Sequence, residues 1–216
     1  MRRAYQTLAG LVLGLAANAY GGTLVVHVDD GHGHPADSAV VTLESPGGDA
    51  AAATPAPATH TIDQRDETFI PYVEVMRPGE KVVFRNSDNT RHQVYSFSEL
   101  KRFEYVLRPG TSSPPLTIDG SGIIAVGCNI HDEMITYLFV TSAPARVTGK
   151  DGNARFEGLA SGSYQLRVWH PQLKPGDQGA RLETVIAEGS SDTPLKAHLT
   201  LLPDPRASMD REHMGY

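Results

Sequence analysis

The chain has 216 residues, with 19 basic and 25 acidic side chains and a formal net charge of −6. That length allows one large domain or two small ones, each able to bury a core. The acidic balance argues against nucleic acid, whose binding depends on neutralising phosphates, and a single cysteine, Cys128, excludes any disulfide within the chain.

Arg2 and Arg3 precede a short apolar run from Leu8 to Ala17, and Ala17-Asn18-Ala19 fits a small-residue cleavage site. Residues 1–19 therefore read as a signal peptide. The run is too short to span a bilayer, where about 20 residues are needed, and no later segment approaches that length. The mature chain is expected to be periplasmic or secreted, with no transmembrane segment. It would carry 17 basic against 25 acidic residues, a formal charge of −8. Exported proteins usually pair their cysteines, so a lone Cys128 stands as a buried thiol, an intermolecular disulfide or a metal ligand.

Beyond the signal no segment holds a helical period, while short alternating and β-branched runs recur between turn signals. Leu24 to Val28 and Ser38 to Leu43 are expected strands, followed by a Gly-, Ala- and Pro-rich connection over Pro46 to Pro57. A second set follows. It comprises Tyr72 to Val75, Lys81 to Arg85, Val94 to Phe97, Phe103 to Leu107, Leu116 to Ile118, Ile123 to Val126 and Ile135 to Val140. A third set holds Ala154 to Phe156, Gln165 to Trp169, Leu182 to Ile186 and Leu195 to Leu201. The fold class is all-β. The middle set is long enough for a β-sandwich of its own, whereas the outer sets are each too short to close a core. Residues 20–57 and 143–203 are expected to make one discontinuous sandwich around an inserted domain at 58–142. The polar stretch 204–216 reads as a disordered tail.

The chemistry concentrates in Gly127-Cys128-Asn129-Ile130-His131-Asp132-Glu133-Met134. A thiolate, an imidazole and a thioether on one loop suit copper, for which two histidines, a cysteine and a weak axial methionine form an electron-transfer set. His92, just ahead of a strand, is the candidate for the second imidazole. In a sandwich, two strand ends bring His92, Cys128, His131 and Met134 together. Glu133, inside the same loop, is an alternative to Met134. Zinc is disfavoured by a methionine donor and a lone cysteine. A Cys-His nucleophile would lack an orienting partner. His32-Gly33-His34 with His27 reads either as a second copper-capture site on an exposed loop or, with no third donor at fixed spacing, as solvated turn residues, and Trp169 is expected in the core of the flanking sandwich.

Asn86-Ser87-Asp88-Asn89-Thr90-Arg91-His92, followed by Cys128-x-x-His131-x-x-Met134, resembles the type 1 copper motif of cupredoxins. The resemblance covers roughly residues 65–142. The short cysteine loop is similar to that of amicyanin, and the Cys-Asn-Ile-His-Asp stretch to plastocyanin-like methylamine utilization proteins. It implies a Greek-key β-sandwich, one copper ion and no catalytic residues. His92, Cys128 and His131 would be equatorial ligands, Met134 the axial one, and His131 the ligand nearest the surface. A one-electron carrier would trade electrons with a periplasmic dehydrogenase, cytochrome or oxidase. A copper-binding module for storage, delivery or docking is the alternative. Gln93 stands where many cupredoxins have Asn. The segment Asp151-Gly152-Asn153-Ala154-Arg155-Phe156, with Gly158-Leu159, Gly162 and Tyr164, is similar to carboxypeptidase-regulatory-like, transthyretin-like sandwiches.

Overall fold

A computed structural model describes residues 21–44, 57–131 and 133–208. The expected signal peptide, most of the Gly-, Ala- and Pro-rich connection, Asp132 and residues 209–216 lie outside the described residues. No described helix is long and apolar enough to cross a membrane.

The chain enters on β1 (Gly22–Asp29) and β2 (Val40–Glu44). It continues through β3 (Thr59–Arg65), β4 (Thr68–Ile70), β5 (Val73–Met76), β6 (Lys81–Asn86), β7 (His92–Ser96) and β8 (Phe103–Leu107). Next come β9 (Leu116–Thr117), β10 (Gly122–Cys128) and β11 (Ile135–Val140). The chain then returns through β12 (Ala145–Val147), β13 (Asn153–Leu159), β14 (Gly162–Trp169), β15 (Ala180–Ile186) and β16 (Thr193–His198). The class is all-β, as its alternating runs imply.

Among the described residues four sheets form, in the orders β13-β1-β16, β12-β2-β14-β15, β5-β11-β10-β7-β8 and β4-β3-β6-β9. The first two contain only strands from the two ends of the chain, and their inward side chains, such as Leu24, Val26, Leu166 and Val168, share one core. The last two contain only β3 to β11 and close on a second core around Phe84, Ile124, Val126 and Leu138. A strand shows one face every second residue, and β14 buries Tyr164, Leu166 and Val168 while exposing the residues between.

Where the two sandwiches meet, the outer face of β11 is covered. Trp169 packs against Tyr137, with ring centroids 5.7 Å apart, and against Phe139 at 5.4 Å. Its place is thus partly at the seam between the cores, where Val40, Tyr72 and Val73 form a small third cluster. The tail differs from expectation over its first residues. Pro205–Ser208 forms a 3-10 turn, Arg206 pairs with Asp204 at 2.6 Å, and its guanidinium sits 3.4 Å from the Tyr72 ring centroid. Polar, proline-containing sequence gives no sign of an aromatic partner 134 residues away, so composition alone reads as disorder.

Candidate metal centre

Strand parity delivers the donors. In β7 the buried positions are His92, Val94 and Ser96. In β10 they are Ile124, Val126 and Cys128, and in β11 they are Thr136, Leu138 and Val140. Continuing that last parity backwards out of β11 gives Met134, 1% exposed. All three even-numbered series face the same core. Cys128 pairs with Val94 across the antiparallel β7–β10 ladder, so His92, two residues on, lies at the same end of the sandwich. His92 is itself the first residue of β7, paired with Leu107, and Cys128 is the last of β10, not a loop residue.

β10 and β11 are antiparallel neighbours, paired up to Gly127 and Ile135. The connection closes tightly: Cys128 N–H donates to Met134 O at 3.1 Å, and Met134 N–H to His131 O at 3.1 Å. That turn brings His131 back over the strand ends. His92 Nδ1 lies 3.6 Å from Cys128 Sγ, and His131 Nδ1 lies 4.0 Å from it. The two imidazole rings are 5.3 Å apart. One donor atom from each of the three residues lies within 4.8 Å of the others, the one such cluster among the described residues.

The spacing fits a shared ion. Metal–thiolate and metal–imidazole bonds of about 2.3 and 2.0 Å at a trigonal angle put sulfur and nitrogen about 3.7 Å apart. The donor set, one thiolate and two neutral imidazoles with a thioether at hand, has the softness that copper prefers. His92 is fully buried and Cys128 is 3% exposed, so the thiol is not presented for a disulfide with another chain. Met134 holds the buried loop position, while Glu133 is partly exposed.

The surroundings are hydrogen-bonded in detail. Asn86, fully buried, donates to Thr90 O at 2.8 Å and Leu107 O at 3.0 Å, and its Oδ1 accepts from Asp88 N–H at 2.9 Å. This pins the 86–92 segment that ends in His92. Gln93 joins the two donor segments: its carbonyl accepts from Asn129 N–H at 2.9 Å, and its Oε1 lies 3.4 Å from Asn129 Nδ2. The longer amide thus spans the gap at the position where many cupredoxins carry Asn. Asp88 Oδ2 lies 2.7 Å from His92 Nε2, and Glu67 Oε1 lies 3.5 Å from His131 Nε2. Asn86 and Asp88 stand inside the motif that carries the resemblance, but their partners are fixed by the fold. Glu67, on a different hairpin, leaves no trace in sequence spacing.

The other described histidines lie apart from this cluster. His34 pairs with Asp30 at 2.9 Å, and this bond is the main cause holding the Asp30 carboxyl down to about 2. His198 pairs with Asp29 at 2.7 Å, His27 faces Asn153 at 3.1 Å, and His170 reaches the Asp37 carbonyl at 2.8 Å. His60 is bracketed by Glu74 at 2.6 Å and Glu80 at 2.9 Å.

No protein-family model matches the chain, and no curated protein matches it. Among solved structures the chain is similar to a Cu-containing nitrite reductase from Thermus scotoductus SA-01. That match has 23% identity over 41% of this chain and 23% of that one, with a TM-score of 0.37. It is similar to a methionine-to-alanine mutant of amicyanin in its Cu(I) form at 19% identity, over 49% of this chain and all of that one, TM-score 0.36. A purple cupredoxin from Nitrosopumilus maritimus matches at 18% identity over 39% of this chain and 99% of that one, TM-score 0.34. The chain thus spans under a quarter of the reductase's length. With alignments this partial, the copper reading rests on the donor geometry of the chain itself.

Proposed function

We propose that this chain is a periplasmic type 1 copper protein that carries single electrons. One observation carries the reading: two imidazole nitrogens and a cysteine sulfur converge within 4.8 Å at the buried end of a sandwich. His92, Cys128 and His131 would hold the ion, and the buried Met134 thioether would be a further donor. When bound, copper supplies a one-electron couple whose potential follows its ligands and their surroundings.

The chain's own residues hold positions and exclude water. His92 and Cys128 sit on hydrogen-bonded strands, and the Cys128–Met134 and Asn129–Gln93 backbone bonds fix the loop between them. Donors held this way keep their places whichever charge the ion carries, which keeps reorganisation small. His131, with 23% of its side chain exposed, is the donor nearest solvent and the natural exit for an electron. The formal charge of −8 without the signal, and Asp66 and Glu67 beside that exit, suit a partner with a basic docking face. A periplasmic dehydrogenase, cytochrome or oxidase fits that description. On this reading the chain acts as a carrier and not as an enzyme.

The test is the absorption spectrum of the Cu(II)-loaded protein. A strong thiolate-to-copper band in the visible supports the reading, and its absence with Cys128 intact and copper bound would sink it. Reversible reduction without loss of metal separates a carrier from a copper store.

A further inference from the structure

We infer that Asp88 is the positioning carboxylate of this centre, orienting His92 directly and holding the Glu67 side chain against His131 through a backbone turn. The inference rests on the copper reading above for its effect on potential, but its geometry stands without metal.

Asp88 has 9% of its side chain exposed and faces a fully buried His92. A carboxylate only accepts hydrogen bonds, so the bond at 2.7 Å puts an N–H on His92 Nε2 and leaves Nδ1 as the nitrogen that faces Cys128 Sγ. The ligand tautomer is thereby set before any metal arrives. The same carboxylate accepts from two successive backbone N–H groups, Asp66 at 2.5 Å and Glu67 at 3.1 Å. These residues form the β3–β4 turn, and both adopt left-handed backbone angles, φ 51° and 55°. Non-glycine residues resist that region, so the two bonds to Asp88 help hold the turn. From it Glu67 reaches the second imidazole. Negative charge thus stands behind both histidines on the side away from the metal, which raises imidazole basicity and favours the more highly charged ion.

The experiment compares the copper-loaded wild type with Asp88→Asn, Asp88→Glu and Glu67→Gln. Loss of an outer-sphere partner typically weakens metal binding by about 10–100-fold. If Asp88→Asn weakens Cu(II) binding tenfold more than Cu(I) binding, the reduction potential rises by about 59 mV. Glu67→Gln is expected to raise it by less, and Asp88→Glu to recover part of the loss. A potential unchanged in an Asp88→Asn protein that keeps its visible band would overturn the inference. A second readout needs neither variant nor copper: in the metal-free protein, nitrogen NMR should find the His92 proton on Nε2. Finding it on Nδ1 overturns the inference whatever the variants do. A wild type that binds copper through an intact Cys128 without a visible band would instead count against the type 1 reading and leave the positioning role of Asp88 to the NMR result.

Discussion

The two sandwiches bury polar groups differently. In the one built from β1, β2 and β12 to β16, the most buried polar side chains, Thr148 and His170, each keep 3% exposure. In the one built from β3 to β11, Gln64, Asn86, His92, Ser96 and Thr136 all lie at 1% or less. Burying a polar group is unfavourable unless it finds a partner. Four of those five join segments that deliver donors. Ser96 Oγ donates to Ala125 O at 2.7 Å, linking β7 to β10. Thr136 Oγ1 donates to Pro71 O at 2.9 Å, linking β11 to the approach of β5. Asn86 and His92 stand at the centre itself. One sandwich is therefore held mainly by apolar packing, and the other accepts buried polar groups where they fix a site. The lesson is that fully buried, fully bonded polar side chains mark the functional sandwich better than surface features do.

The sharpest way to break this contrast is Cys128→Ser. The variant should lose the visible band and bind Cu(II) more weakly by beyond the about 100-fold that outer-sphere losses reach. The unfolding midpoint of the metal-free protein should hardly move, as measured by thermal circular dichroism. A retained band would move the thiolate ligand elsewhere, which a chain with one cysteine cannot supply.

Trp169→Ala probes the seam instead of the site. Removing a large aromatic from between two cores costs about 3 kcal/mol, the low end for tryptophan truncation because the ring is only partly buried. Denaturant unfolding should show that loss, while the copper band of the folded variant stays in place. A shifted band would mean that the outer face of β11 controls the donors on its inner face.

Much of this was legible in the sequence, and the failures have causes. The cysteine loop and His92 could be found because donor types at fixed spacing are local information, and parity along β7 and β10 does the rest. The strands β3, β4 and β12 escaped notice. β3 reads Thr-His-Thr-Ile-Asp-Gln-Arg, burying only Ile62 and Gln64, so its alternation is written half in polar residues. Glu67 and Asp88 are 21 residues apart in sequence, and only the parallel pairing of β3 with β6 brings their segments together. Side-chain networks assembled from different strands have no sequence period.

Asn86→Ala should give a smaller effect than Trp169→Ala and a different kind. It leaves two carbonyls and the Asp88 N–H short of a partner in a closed site, a cost of about 2 kcal/mol. Because the amide pins the segment leading to His92, the copper spectrum should broaden or shift too, unlike that of Trp169→Ala. Equal spectra in the two variants would remove the distinction between a packing residue and a site-fixing one.

The smallest expected effect lies far from the centre, in the bracket of Glu74, His60 and Glu80, and its signature is the dependence on pH. Burial pulls the His60 imidazole down, but its hydrogen bonds to the Glu80 and Glu74 carboxylates more than offset it, so its pKa stands above the ordinary 6.5. Burial likewise pushes Glu80 up, and bonds from the Arg77 backbone N–H and from His60 outweigh it, so its pKa stands below 4.5. A raised histidine contributes its full stability below 6.5 and loses it as pH climbs through the raised value. A depressed carboxyl contributes above 4.5 and loses its share as pH falls through the depressed value. The bracket is therefore strongest between those limits, at mildly acidic pH, and should contribute about 1 kcal/mol there, the scale of a charge-assisted hydrogen bond in a partly screened site. His60→Gln should lower the melting temperature most in that window, and the gap to wild type should narrow as pH rises past the raised His60 value. A gap that widens with rising pH would show that the imidazole is held neutral, and the bracket would then join the structurally bonded side chains of the other sandwich instead of acting as an ion pair.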